Sequence, residues 1–270
     1  MTKNYGSVRN TGHEATLTLT LLDQRNIGWD MTVGGSHNTN KIESLGFDAY
    51  GNPNPTVGTG ANRDSSGFPI RGVYVRPFTY SDANGNGIIE ASEVIVSPTW
   101  QYAGYSVPRD IVTIQNGLDL FQRKLHLSVL LDYKGGFSLY NSTSAFYCLN
   151  TNTCYDETHQ SASLEDQARN VAQRYVNPAT GVSTTTAGYW ENGQFWRLRE
   201  VGATLTVPQA LSERLMARDA SLTFTGRNLH VWTHYKGTDP ESNYSTGNVQ
   251  TDFSTISPPS YFTVRLNLHY

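Results

Sequence analysis

The sequence predicts an all-β chain, an antiparallel transmembrane β-barrel segment with long loops on one side, and three observations carry that prediction. The first is the final stretch, where Phe262, Val264, Leu266, Leu268 and Tyr270 fall on one side of an extended strand and Thr263, Arg265, Asn267 and His269 on the other. About ten residues tilted at roughly 45° suffice to cross a bilayer core. The apolar five are therefore expected to face lipid as a closing strand, with Tyr261 and Tyr270 near the two interfaces. The second is hydropathy. Only 37% of the 270 residues are hydrophobic, and no apolar run approaches the ~18 residues of a spanning helix. Barrels escape hydropathy because only alternate residues are apolar. The third is the rhythm of the connections, which run short, long, short, long, short, long.

In chain order, Ala15, Leu17, Leu19 and Leu21 alternate with Thr16, Thr18 and Thr20. After the turn Asp23-Gln24-Arg25-Asn26, Ile27, Trp29, Met31 and Val33 alternate with Gly28, Asp30 and Thr32, which makes a hairpin. From about Lys41 to Pro108 the pattern dissolves into Gly, Pro, Asn and Ser. A connection that long is unusual in a compact soluble domain but ordinary for an extracellular barrel loop. Alternation resumes at Ile111–Leu120, with Val112 and Ile114 on one face. It is cleanest at Leu125, Leu127, Val129, Leu131 and Tyr133, opposite His126, Ser128 and Asp132.

A second polar stretch, Lys134 to Gln194, carries one predicted helix over Leu164–Tyr175. Ser163 with Asp166 resembles a capping box, and Leu164, Ala168, Val171, Ala172 and Tyr175 form its apolar face. Cys148 and Cys154 bracket a short Thr/Asn-rich segment, which fits a small disulfide ring in an oxidising compartment; two free thiols are the alternative. Phe195–Val207 is the fifth strand, with Leu198 out of phase, so a bulge is expected there. Ala220–Trp232 is the sixth, and its phase switches at Gly226, where a second bulge is expected. Pro240 and Pro258-Pro259 bracket the third long loop before the terminal strand. Seven strands are odd in number and too few to close a transmembrane barrel, so the chain reads as a piece.

Composition narrows the function. Sixteen Tyr, 10 Phe, 5 Trp and 24 Gly favour β structure with many turns, and a formal charge of -3 without a Lys/Arg cluster gives no nucleic-acid surface. Met1–Tyr5 lacks the apolar core of a signal peptide. An exported protein needs one, so it is expected to have been removed or to lie upstream. No catalytic signature is present: the seven histidines are scattered, His230 and His234 lack a third ligand, and there is no nucleophile elbow or phosphate loop. Asp239-Pro240-Glu241 reads as a solvated loop rather than paired catalytic acids.

One motif could hold a cofactor. Asp82-Ala-Asn84-Gly-Asn86-Gly87-Ile88-Ile-Glu90-Ala-Ser-Glu93 fits the twelve-position calcium loop. Asp82, Asn84 and Asn86 supply side-chain oxygens, Ile88 its carbonyl, Glu90 a direct or water-bridged contact, and Glu93 a bidentate carboxylate. The competing reading is a polar hairpin turn at Asn84-Gly85, since the flanking segments look extended and the usual helix pair is absent.

The carboxy-terminal part reads Phe195-Trp-Arg-Leu-Arg-Glu-Val-Gly-Ala-Thr-Leu-Thr-Val-Pro208, then Leu222-Thr-Phe-Thr-Gly-Arg-Asn-Leu229, Trp232-Thr-His-Tyr-Lys-Gly-Thr-Asp-Pro-Glu241 and Pro259-Ser-Tyr-Phe-Thr-Val-Arg-Leu-Asn-Leu268. It closely resembles the end of SusC/RagA-type TonB-linked (TonB-dependent) outer-membrane transporters. Gly-Arg-Asn-Leu and Tyr-x-Gly-x-Asp-Pro-Glu are the most specific parts, and Asn10–Trp29 and Tyr102–Pro108 resemble earlier barrel segments more loosely. The resemblance implies a barrel of about 22 strands, of which residues 1–270 would be the last part, with the amino-terminal plug, the TonB-contacting segment and the signal peptide absent. It further implies a place in the bacterial outer membrane among lipid, import of a glycan, peptide or other bulky nutrient, and TonB and a SusD-type surface lipoprotein as partners. The alternative is a calcium-dependent, all-β surface-binding or adhesive module, with a glycan-active hydrolase a distant third.

Overall fold

A computed structural model describes residues 6–151, 154–159, 161–174, 184–242 and 250–270. Seven strands form one sheet: β1 (Ser7–Asp23), β2 (Ile27–Ser44), β3 (Asp110–Leu120), β4 (Leu125–Gly135), β5 (Phe195–Thr206), β6 (Asp219–Thr233) and β7 (Tyr261–His269). Each pairs antiparallel with its sequence neighbours, in the order β1 to β7, leaving β1 and β7 at the sheet's edges.

The first hairpin is longer than alternation predicts. Its ladder runs from Asp23↔Gly28 up to Ser7↔Ser44. Beyond Ala15 and Gly35 the hairpin is polar apart from the pair Val8↔Ile42 near its top, so the upper part leaves no periodic hydrophobic trace in the sequence. The expected bulge near Leu198 is present: in the β4–β5 ladder Leu130 pairs with Glu200 and Leu131 with Leu198, so Arg199 is passed over. The second bulge lies past Gly226. Gly226 itself pairs in register with Val201 and Phe262, and the shift falls beyond Arg227, where Asn228 adopts a left-handed φ of 52°. Gly226 has a different reason to be glycine, since a β-carbon there would sit 2.9 Å from the Phe262 ring. The β3–β4 turn is made by Phe121, Gln122 and Arg123, all at positive φ, and a short helix, Gln209–Arg214, occupies the β5–β6 connection.

The long connections are structured. Between β2 and β3, three two-stranded ribbons stack up: Thr56–Thr59 with Asn62–Ser65, Gly72–Val75 with Gln101–Tyr105, and Phe78–Tyr80 with Val94–Val96. The β4–β5 connection carries α1 (Ser142–Asn150), α2 (Tyr155–Thr158) and α3 (Leu164–Arg174). The Ser163 cap holds, with Ser163 Oγ accepting from the Asp166 amide at 3.1 Å; Tyr175 lies outside the described residues. The helix face needs correcting. Ala168 and Ala172 are buried, but so are Asn170 and Gln173, while Leu164 is exposed. The reason is that α3 is clasped from two sides. Ile89, Val94 and Val96 of the first loop pack on its alanines, and Gln173 Nε2 donates to Ala145 O of α1 at 2.8 Å.

The buried clusters sit in this loop layer and where it meets the sheet's upper end: one around α3, one of Phe137, Leu139, Phe195 and Tyr235, and one of Ala145, Cys148, Cys154 and Tyr189. The broad apolar face of the sheet is left uncovered.

Candidate functional site

The sheet's two faces follow from strand parity, and the ladder aligns them across the strands. One row reads Ile27, Leu120, Leu125, Leu205, Leu222, Leu266. The next on that face reads Trp29, Leu118, Leu127, Ala203, Phe224, Val264. Higher on it lie Val112, Tyr133, Trp196 and Trp232, with the Tyr133 and Trp196 rings 5.1 Å apart. Of the terminal strand, Phe262 is 77% and Val264 65% exposed. Leu268 pairs with Ala220, on the parity of Leu266. The opposite face carries Gly28, Asp119, His126, Thr204, Thr223 and Arg265 in one row, then Asp30, Gly117, Ser128, Gly202, Thr225 and Thr263.

At the upper end of the polar face lies a charge network. Arg197 pairs with Asp239 at 2.6 Å and with Glu241 at 3.1 Å. Arg199, raised by the β5 bulge, reaches Asp132 at 2.8 Å and also bonds Glu241, and Lys134 Nζ donates to Glu241 at 2.7 Å. Asp239 is 3% exposed. The Asp239-Pro240-Glu241 segment is thus a buried anchor that fastens the third loop to the wall, not the solvated loop expected from sequence. Burial pushes the Glu241 carboxyl up, but hydrogen bonds from Arg199 and Lys134 outweigh it and hold it at about 2. Sequence reasoning missed Arg197, Arg199, Asp132 and Lys134. The available signal was two arginines on a strand, far in sequence from an acid pair.

The Asp82–Glu93 segment closes the ribbon Phe78–Tyr80/Val94–Val96. Its side-chain oxygens turn inward onto its own amides: Asp82 Oδ2 accepts from Gly87 at 2.9 Å, Asn84 Oδ1 from Asn86 at 2.9 Å and Asn86 Oδ1 from Ile88 at 2.7 Å. Glu93 Oε1 accepts from Ala83 at 2.8 Å and Oε2 from Glu90 at 3.0 Å. Gly85 and Gly87 turn the chain at positive φ. Asp82, Asn84, Asn86 and Glu93 are thereby brought round one loop; Glu90 caps the Ala91–Glu93 turn, its side chain accepting from the Glu93 amide, and the Ile88 side chain is exposed. Among the described residues, the three Cys, His, Asp or Glu donors found within 4.8 Å of one another are Cys148, Cys154 and Asp156. That trio is no metal centre, because Cys148 and Cys154 are bonded to each other with Cα atoms 4.9 Å apart.

Between this loop and the helices lies a cleft of about 790 Å³. Asn86 to Ala91 form one wall; Asp156, Glu157 and His159 of α2 and its end, with Gln167, Asn170 and Val171 of α3, form the other. Gln167 bridges the walls, accepting from the Ile89 amide at 2.9 Å and donating to Gly87 O at 3.1 Å.

No family model matches the chain. TonB-dependent receptor P26 of Formosa agariphila is 26% identical over 99% of this chain, and TonB-dependent receptor P3 of the same organism is 23% identical over 99%. Along its whole length this chain resembles TonB-dependent receptors. It spans 29% of the length of either receptor. The same fold recurs in the RagAB peptide transporter, at a TM-score of 0.67 with 19% identity over 98% of this chain and 29% of that one. It recurs in the closed-closed state of the RagAB peptide importer at 0.69, with 17% identity, 98% of this chain and 30% of that one. These TonB-dependent receptors and transporters are not enzymes by name, in line with the lack of a catalytic signature. The antiparallel β architecture expected from alternation is the one observed.

Proposed function

We propose that this chain is the C-terminal barrel portion of a TonB-dependent importer in the bacterial outer membrane, which takes up a glycan, peptide or similar bulky nutrient. The observation that carries the reading is the aligned apolar face, continuous from β2 to β7 with its side chains half-buried to exposed, backed by a face of Thr, Gly, Asp and His. A soluble domain would cover the first face; a bilayer covers it here, while the second lines a wet lumen. Phe262, Val264, Leu266, Leu268 and Tyr270 then meet lipid. The remaining strands complete the wall and the plug fills its lumen, TonB supplies energy, and a SusD-type lipoprotein closes over the structured loops. The test is made on the full-length gene product: heat-modifiable migration in detergent, and nutrient uptake that stops when TonB is deleted. A 270-residue chain that is a cooperative, monodisperse monomer in water without detergent refutes the reading and favours the adhesive module.

We also propose that Asp82–Glu93 takes Ca²⁺ through Asp82, Asn84, Asn86, Ile88, Glu90 and Glu93. The twelve-position pattern with its central glycine favours it, as do the inward-turned oxygens of Asp82, Asn84, Asn86 and Glu93. Three formal charges and no helix pair give weak affinity, in the ~10⁻⁴ to 10⁻³ M range of extracellular modules. Asp82→Ala and Glu93→Ala each abolish the calorimetric heat at millimolar calcium and Ala83→Ser keeps it. An unaltered heat in the double variant marks a plain polar turn.

A further inference from the structure

Resting on the import reading, we propose that the cleft between the Asp82–Glu93 loop and α3 is a capture site for basic peptides, holding a lysine or arginine side chain. Among the described residues its ionisable lining is Glu90, Asp156, Glu157 and His159, without a Lys or Arg. Two of the acids are already matched from behind. Asp156 accepts a two-pronged bond from Arg169 at 2.6 and 2.9 Å, and Glu157 pairs with Arg174 at 2.5 Å. Glu90 is exposed; its side chain accepts from the Glu93 amide as the cap of the Ala91–Glu93 turn, but no ion pair engages it among the described residues, so its charge is the one left for an incoming cation.

Deeper in the same wall, Asn170 is 4% exposed and its Oδ1 has no hydrogen-bond partner. A buried amide oxygen without a donor is costly to leave unmet, and a ligand N–H answers it. The neighbouring Gln167 cannot take that role, because its amide is spent on Ile89, Gly87 and Ala162. Ile88, Ile89 and Val171 supply an aliphatic surface beside the carboxylate. That combination suits a cationic head on a methylene stem. It does not suit a sugar ring, since no Trp, Tyr or Phe stands among the cleft's described lining residues to stack on one. The volume matches sites that enclose ligands of several hundred daltons.

The test is fluorescence-anisotropy binding to the full-length protein in detergent with EDTA present, so that no cation occupies Glu90. The probes are a labelled alanine pentapeptide carrying two lysines, its Nε-acetylated form, and the form with glutamate in place of lysine. A charge-assisted contact is worth about one factor of ten. The lysine peptide is expected to bind about tenfold tighter than the acetylated one and tighter still than the glutamate one. Glu90→Gln should erase most of that preference, and Asn170→Ala should weaken the lysine peptide severalfold. Glu90 is exposed, so its variant keeps the fold and the comparison remains decisive even if Asn170→Ala misfolds. Equal binding of the lysine and acetylated peptides, or an unchanged preference in Glu90→Gln, overturns the capture site. TonB-dependent uptake surviving that result leaves the import reading standing; uptake that continues unchanged when TonB is deleted, with the lysine preference intact, overturns the import reading instead.

Discussion

Leu266→Arg tests the assignment of faces most directly. Leu266 stands five residues below Tyr261 and four above Tyr270 on the terminal strand. At about 3.3 Å per residue and a tilt near 45°, it lies roughly 12 Å below one aromatic and 9 Å above the other, close to the middle of an apolar band about 25 Å tall. Its cross-strand partner is Leu222, and its side chain is half exposed beside Phe224 and Val264, so no protein group is placed to receive a guanidinium. An arginine at the midplane of a barrel's lipid face costs about 2–4 kcal/mol, which lowers the folding equilibrium by roughly 30- to 700-fold. Arg265 pairs with Thr223 on the other face, where Arg265→Leu removes an exposed polar group at a cost of about 0.5 kcal/mol or less. Urea titration of the full-length protein in lipid vesicles, read by the heat-modifiable band, gives both numbers. Equal destabilisation by the two variants, or a larger loss for Arg265→Leu, refutes the assignment.

Three further outcomes follow from the loops. Glu241→Ala leaves Arg199 and Lys134 without their shared acceptor, so hydrogen exchange at residues 234–242 should reveal about 2–3 kcal/mol less protection, below the ~3–5 of a fully buried pair. Acid should release the same anchor late. The Glu241 carboxyl is held at about 2 against an ordinary 4.5, so its contribution is complete above pH 4.5 and is lost as pH falls through about 2; proteolysis of the third loop by pepsin should stay slow at pH 3.5 and accelerate towards pH 2. Cys148→Ser should cost the α1–α2 segment about 2 kcal/mol through the lost ring closure, measured by urea-dependent alkylation of Cys154 in the variant.

What could be read from sequence is what has a period. All seven strands announced themselves by alternation, because each has one apolar face, and the chain of turns followed from Gly, Pro and Asn. The upper halves of β1 and β2 did not, since Arg9, His13, His37 and Lys41 lie on the parity of Ala15 and Gly35 without an apolar residue among them. The Gly226 phase switch was visible but misplaced by two residues, because a phase change marks that an insertion exists, not where the ladder absorbs it. The Arg197–Asp239 pair spans 42 residues, and nothing local distinguishes an acid that will be buried from one that stays wet. Buried Asn170 and Gln173 were likewise hidden, because a helix gripped on two sides has no single stripe.

The clusters around α3, around Phe137 and around the cystine lie apart from the outward leucine and tryptophan rows, so wall and cap obey different solvents. On the proposed reading the wall meets hydrocarbon, where a continuous hydrogen-bonded ladder is obligatory and each residue's tolerance is set by its depth. The cap is selected in water, as a small globule whose compactness depends on its own aliphatic centres, one cystine and a few charged rivets to the rim. Substitutions that reshape what the cap grips need not disturb insertion, and substitutions that tune insertion need not touch ligand choice. On the import reading, a change of cargo would call for substitutions in the loops, with the seven-stranded frame left as it is.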